Sequence, residues 1–128
     1  MSKVGFIGVG TMGCPMATNI ISKGNDLNFY DPYVQDDSIT KLTDIGAIHC
    51  TSLKDLLNDR DYVITMLPNG NNVKEVCLSD NGLLKQDMKD YIYIDMSTIL
   101  PTDSIDINKE FKMHNILMYD APVARLVS

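Results

Sequence analysis

Residues 8–13 read Gly8-Val9-Gly10-Thr11-Met12-Gly13, a G-x-G-x-x-G segment whose three glycines have three separate uses. Gly8 permits a tight turn, Gly10 lets the backbone come close to a diphosphate, and Gly13 lets a helix pack close against a strand. The chemistry such a loop supports is anion binding. A helix beginning here would turn its unpaired N–H groups and positive dipole end toward a pyrophosphate, placing Val9, Thr11 and Met12 beside it. By itself the motif is equally consistent with a glycine-rich turn.

A second residue separates the two readings. Asp31 follows Gly13 by 18 residues, close to the roughly 20 expected of the acid that accepts hydrogen bonds from an adenosine ribose. A carboxylate at that point repels a 2′-phosphate, so the expected ligand is NAD, with NADP disfavoured. The competing role for Asp31 is simply to open the Asp31-Pro32 turn.

A loop of this kind works only between a strand and a helix, and the chain supplies both. Six short β-type runs, 4–8, 27–30, 47–50, 62–66, 91–95 and 116–120, alternate with helical or turn-rich stretches. Several are apolar almost throughout, as in Val4-Gly5-Phe6-Ile7 and Tyr62-Val63-Ile64, which is the character of strands covered on both faces. Helical spacing over 12–22 places Met12, Met16, Ile20 and Ile21 on one face, with Gly24 as the stop. Further helices are predicted at 39–43, at 53–58 behind Ser52 as N-cap, at 72–78, and at 103–113 after Pro101-Thr102. The pattern predicts an α/β, Rossmann-type doubly wound domain: a mainly parallel six-stranded sheet with helices on both faces.

Composition removes other classes. Of 128 residues, 45% are hydrophobic and 22% charged, a globular balance. The net charge of −6 argues against nucleic acid and anionic membranes as partners, since both demand a basic footprint. No apolar run approaches the roughly 18 residues of a membrane helix. The N-terminus shows neither a signal peptide nor a presequence, so a cytoplasmic location is expected, or a mitochondrial one if the true N-terminus is longer. Cys14, Cys50 and Cys77 match no metal or CxxC spacing and read as free thiols. Cys14 is read as a small packed residue, with a thiol activated by the helix N-terminus as the alternative. His49 and His114 have no partner at metal spacing, and no metal site is expected. Met12, Met16 and Met66 are placed on the core face.

At this point the chain resembles the β-hydroxyacid dehydrogenase family, which includes 3-hydroxyisobutyrate dehydrogenase. Four blocks carry the resemblance: Gly5-Phe6-Ile7-Gly8-Val9-Gly10-Thr11-Met12-Gly13-Cys14-Pro15-Met16-Ala17-Thr18-Asn19-Ile20; Thr65-Met66-Leu67-Pro68; Ile94-Asp95-Met96-Ser97-Thr98-Ile99; and Asp120-Ala121-Pro122-Val123. The later blocks end predicted strands, where ligands of open α/β sheets bind. The resemblance implies that Leu67, Pro68, Asn72 and Thr98 contact the cofactor toward its nicotinamide end. Taken without it, Pro68 is a turn residue, Asn72 an N-cap, and Ser97 and Thr98 loop hydroxyls tied to the backbone.

Members of the family move a hydride between the nicotinamide and the hydroxyl-bearing carbon of a small β-hydroxy acid, with a lysine of a second, all-helical domain handling the proton. That domain has no counterpart in this sequence, so no catalytic residue is assigned. The family's Ser-Gly-Gly after Asp-Ala-Pro-Val is replaced by Ala124-Arg125-Leu126-Val127-Ser128. Residues 1–123 are thus expected to form the NAD-binding domain and 124–128 a divergent tail. The expected function is the cofactor-binding portion of an NAD-dependent β-hydroxyacid dehydrogenase, inactive alone. A non-catalytic dinucleotide-binding module or a truncated gene product is the alternative. An uncovered apolar face, where the helical domain would sit, is expected to promote self-association.

Overall fold

A computed structural model describes residues 1–33 and 36–122 of the chain. Val123 and the tail 124–128, with the expectations placed on them, lie outside the described residues. The strands are β1 (Lys3–Ile7), β2 (Asp26–Tyr30), β3 (Ile48–His49), β4 (Tyr62–Thr65), β5 (Ile92–Asp95) and β6 (Met118–Asp120). All pair in parallel, in the order β3-β2-β1-β4-β5-β6. This is the expected doubly wound α/β sheet, and because every strand runs the same way, all six C-terminal ends share one rim. The strand order reverses between β1 and β4, the point where such sheets open a crevice.

The helices are α1 (Gly13–Ser22), α2 (Asp36–Asp44), α3 (Leu53–Leu56), α4 (Gly70–Leu78) and α5 (Pro101–Met113), with a 3-10 turn at Leu83–Lys85. The side-chain alternation of β1 shows why they lie on both faces. Val4 and Phe6 bury with Leu27, Phe29 and Ile64 against Ala17 of α1 and Leu42 of α2. Ile7, on the opposite face, buries with Val63 and Tyr93 against Leu56 of α3, Val73 and Cys77 of α4, and Ile107 and Phe111 of α5. Two apolar layers therefore sandwich the sheet, so both faces of the central strands are mostly apolar.

Local signals behave as their chemistry predicts in several places. Ser52 caps α3 by accepting the Asp55 N–H at 3.1 Å, Pro101 occupies the first turn of α5, and Gly24 follows α1 at φ +90°. Other expectations need correction. The cap of α4 is Asn69, whose side chain accepts the Asn72 N–H at 3.0 Å, so Asn72 is not the N-cap. Met12 is 51% exposed and is not core; Gly13 and Ala17 are the buried residues of α1, because the helix lies too close to β1 for a long side chain between them. The strands predicted over 47–50 and 116–120 pair only at 48–49 and 118–120, each with one neighbouring strand among the described residues. Helix α2 starts three residues earlier than its apolar spacing suggested, with Asp36 and Asp37 in its first turn, where carboxylates complement the dipole.

Below the rim, β4 and β5 are joined by a chain of buried polar groups. The Cys77 thiol donates to the Tyr93 hydroxyl (3.4 Å), Tyr93 to Thr65 (2.7 Å), and Thr65 to Asp95 Oδ1 (2.8 Å). Asp95 Oδ1 also accepts the Ser97 N–H at 3.0 Å, and Ser97 Oγ accepts the Leu67 N–H at 2.8 Å. The relay thus ends by pinning the loops that follow β4 and β5 to each other. Tyr93 is further fixed by stacking on Phe111, with ring centroids 4.4 Å apart. Burial pushes the Cys77 thiol up to about 12, which leaves it a neutral donor.

Two predictions follow from this packing. Among the described residues Asp95 Oδ2 is buried without a partner, and burial, reinforced by the Asp120 carboxylate, holds its carboxyl above the ordinary range against hydrogen bonds from Ser97 and Thr65. A folded-state pKa above the unfolded value contributes stability below about pH 3.9 that is lost as pH rises through the folded value. Asp95→Asn keeps both hydrogen bonds to Oδ1 and removes the charge, so its urea midpoint at pH 7 should exceed the parent's, with the gain shrinking toward pH 4. Thr65→Val should instead cost about 1–3 kcal/mol by orphaning its partners; a lower midpoint for Asp95→Asn at pH 7 would count against the assignment. The second concerns the loop. A Cβ on Gly13 would overlap the Gly8 carbonyl, whereas one on Gly10 would meet nothing within 4 Å. Gly13→Ala should therefore lose at least about 1–3 kcal/mol, while Gly10→Ala stays within about 0.5 kcal/mol of the parent in the same denaturation experiment.

Candidate functional site

The glycine loop leaves β1 at Gly8, which turns at φ +99°; a side chain there would also strike the Met66 carbonyl just after the neighbouring β4. Glycine is required twice over, by conformation and by space. The Gly8 N–H donates to the Tyr30 carbonyl at the end of β2 (3.0 Å), and the Met66 N–H donates to the Ile7 carbonyl (2.8 Å). The turn is therefore hydrogen-bonded to the strands on both sides. Helix α1 then begins without a side-chain cap and without an acidic residue in its first turn. An uncapped helix start next to open space above Gly10 suits an anion held by backbone N–H groups.

Asp31 stands at the end of β2 and faces this loop. Its Oδ2 accepts the Val9 N–H at 2.8 Å, and its Oδ1 accepts the Tyr33 N–H at 2.8 Å. The turn-forming role considered for Asp31 is thus present, and the same carboxylate also faces the loop after β1. Each oxygen retains acceptor capacity for a further donor.

Two cavities meet at this carboxylate. One, of about 320 Å³, is lined by Gly8, Gly10, Thr11, Met12, Gly13, Asp31, Tyr33, Met66, Leu67 and Pro68. The other, of about 680 Å³, runs toward α1 and α2 and is lined by Val9, Gly10, Thr11, Asp31 and Tyr33 together with Cys14, Pro15, Thr18, Asn19, Asp37, Ser38 and Lys41. Both fall in the size range of ligand clefts, roughly 300–1,000 Å³.

The structure brings Gly8, Val9, Gly10, Thr11, Met12, Gly13, Asp31, Leu67 and Pro68 to these walls. Two expected residues line neither cavity. Thr98 is exposed on the rim beyond β5, and Asn72 donates its side-chain amide to the Tyr33 hydroxyl at 3.2 Å, on the Asp31 side of the crevice. Ser97 is the backbone-tied hydroxyl of the β5 loop, fully buried, with its Oγ on Leu67. Cys14 is half-buried and packs against the core under α1. His49 stacks on Phe29 and His114 sits at the end of α5 against the Glu110 carbonyl. Among the described residues no group of three potential ligands could hold a metal ion, and no helix is long and apolar enough to cross a membrane.

Sequence reasoning passed over Tyr33, which lines both cavities, and Lys41, the lysine of the larger one. Tyr33 had one legible signal, its position two residues beyond Asp31. Lys41 had none, because only the packing of α2 against α1 turns it toward the loop.

Comparison with known proteins agrees with this geometry. The family described as the NAD binding domain of 6-phosphogluconate dehydrogenase matches residues 3–125. The chain is 35% identical over 125 residues to 3-sulfolactaldehyde reductase of Escherichia coli (strain K12), covering 98% of this chain and 41% of that protein. It is 40% identical over 123 residues to the mitochondrial 3-hydroxyisobutyrate dehydrogenase of Rattus norvegicus, covering 96% of this chain and 36% of that protein. In three dimensions it resembles Mycobacterium tuberculosis 3-hydroxyisobutyrate dehydrogenase, solved with L-serine, at a TM-score of 0.84 and 31% identity, over 98% of this chain and 41% of that one. The chain therefore spans about two-fifths of the length of these relatives. With a six-stranded parallel sheet, a glycine loop after β1 and a family match from residue 3 to residue 125, this chain belongs to the family of the NAD-binding domain of 6-phosphogluconate dehydrogenase, as a 3-hydroxyisobutyrate dehydrogenase-like member.

Proposed function

We propose that this chain binds NAD along the rim between β1 and β4 and serves as the cofactor half of a dehydrogenase acting on small β-hydroxy acids. The observation that carries the proposal is the Asp31 carboxylate, fixed on the Val9 N–H at 2.8 Å directly beside the glycine loop. A pyrophosphate over Gly10 and the start of α1 would place the attached adenosine ribose against that carboxylate, where its hydroxyls become donors. A 2′-phosphate at the same point would bring negative charge against Asp31, so NAD is the preferred form and NADP the poorer one. Leu67, Pro68 and Thr98 continue the rim toward β5 and carry the nicotinamide half. Asn72, tied to Tyr33, belongs with the adenosine half instead.

The substrate class comes from the relatives, whose names include 3-hydroxyisobutyrate and 3-sulfolactaldehyde. Oxidation of such an acid transfers a hydride from the hydroxyl-bearing carbon to the nicotinamide and releases the hydroxyl proton. No residue of this chain is assigned to take that proton, and general acid–base groups commonly contribute about 10²–10⁴-fold. The chain alone is therefore inactive on this reading.

Fluorescence titration tests the binding. NADH should bind the parent chain more tightly than NADPH does, and Asp31→Ala should weaken NADH by about ten- to a hundredfold, the scale of hydrogen bonds to a charged group. Gly10→Ala, folded as stably as the parent, should weaken it by a similar factor. No oxidation of 3-hydroxyisobutyrate should be detectable in the same samples. Absent binding would sink the proposal, and turnover by this chain alone would sink the cofactor-half reading.

A further expectation concerns the α5–β6 side, where β6 is an edge strand and Leu100, Ile105, Met113, Leu117 and Tyr119 are each more than half exposed. Apolar surface beside an unpaired strand edge promotes association. The sedimentation coefficient should rise with concentration in analytical ultracentrifugation; a constant monomer value would show that this face is tolerated in water.

A further inference from the structure

We propose that Ser97 is a positioning residue of this site: by accepting the Leu67 N–H it fixes a wall of the crevice that offers no hydrogen-bond donor, against which the nicotinamide half of the cofactor packs. The inference rests on the NAD reading above and extends it to a buried side chain that the ligand does not reach. Ser97 is fully buried and lines neither cavity. Its effect on binding must pass through Leu67, which lines the smaller one.

The backbone ladder between β4 and β5 ends at Thr65 and Asp95, with one further bond from the Met96 N–H to the Thr65 carbonyl at 2.9 Å. Beyond it the two segments leave the sheet, and among the described residues the tie between them is the Ser97 hydroxyl, which accepts the Leu67 N–H at 2.8 Å. Ser97 is itself held, because its N–H donates to Asp95 Oδ1 at 3.0 Å. The consequence lies in what residues 66–68 present to the cavity they line. The Met66 N–H donates to the Ile7 carbonyl at 2.8 Å, the Leu67 N–H to Ser97, and Pro68 has none. Across the same cavity, Gly10 and the uncapped start of α1 carry the N–H groups suited to an anion. The crevice is thus divided into a donor-rich side for the pyrophosphate and a donor-free, apolar side for a flat ring. Without the Ser97 hydroxyl, Leu67 would keep an unpaired N–H in that apolar wall and lose its anchor to the segment after β5.

The test compares NADH with ADP-ribose, which retains the adenosine and pyrophosphate and lacks the nicotinamide, by calorimetric titration of the full chain. The parent should bind NADH more tightly than ADP-ribose. Ser97→Ala should raise the Kd for NADH by about three- to tenfold, the scale of one hydrogen bond, and leave that for ADP-ribose within about twofold of the parent. A purely structural role would weaken both ligands together. Tyr93→Phe is the control, because it breaks the same buried series at its far end, between Cys77 and Thr65. It should lower the urea midpoint and leave the ratio of the two Kd values at the parent's. Ser97→Cys keeps a weaker acceptor at the same point and should give a ratio between those of the parent and Ser97→Ala. If the alanine variant does not fold, the cysteine variant decides, and a ratio equal to the parent's counts against the proposal. Equal losses for both ligands, an unchanged NADH affinity in Ser97→Ala, or the same change of ratio in Tyr93→Phe would each overturn it. A parent chain that binds neither ligand overturns the NAD reading along with this one. Parent binding of both ligands that ignores Ser97 overturns this one alone.

Discussion

The Asp31 carboxylate accepts the Val9 N–H at 2.8 Å, and this bond joins the loop after β1 to the end of β2 across 22 residues. The Gly8 N–H makes a second tie between the same two elements by donating to the Tyr30 carbonyl at 3.0 Å. Between these bonds the loop has little freedom left, and its course is set before any ligand arrives. Hydrogen bonds to a charged acceptor are stronger than neutral ones, so the acid that would select the ligand also shapes the loop that would hold it. Tyr33 is drawn in by the other oxygen of the same group. One side chain thus coordinates the loop, the turn after β2 and the aromatic wall between the two cavities.

The other half of the rim is built by a different device with the same effect. Leu67, after β4, and Ser97, after β5, are linked directly at 2.8 Å, and behind them the buried series Asp95, Thr65, Tyr93 and Cys77 reaches back into α4. In the low dielectric of the core such a chain of donors and acceptors is strong while complete and costly when broken. It leaves one oxygen, Asp95 Oδ2, without a partner among the described residues. The two halves of the crevice are therefore each internally braced, and the Gly8 turn, wedged against the Met66 carbonyl, is where they touch.

An acidic chain with a net charge of −6 is an unusual host for a diphosphate unless the charge is met by something other than side-chain cations. In the reading proposed above, the backbone meets it. The uncapped start of α1 and the open approach at Gly10 present N–H dipoles without a basic residue in the motif. Among the described residues no ion pair involves Asp31, so in the reading proposed above its charge is available to disfavour a 2′-phosphate.

Much of this was legible in the chain itself. The apolar runs dictated strands covered on both faces, the glycine spacing dictated a turn between a strand and a helix, and the interval to Asp31 marked the end of the next strand. These are local or near-local properties, written in period, conformation and spacing. Edges and contacts were not. The short pairing of β3 and β6 depends on which strands lie beside them, and the exposure of Met12 depends on how closely α1 approaches β1, a distance governed by Gly8 and Gly13 together. Asn72 reads as a cap in sequence because asparagine caps helices, yet Asn69 takes that role and frees the Asn72 amide for Tyr33. The sequence by itself determined the sheet, the loop and the acid beside it. Only the tertiary structure decided that Tyr33 meets Asn72 and that Asp95 is left half-satisfied, because those outcomes depend on side chains distant in sequence arriving at one point in space.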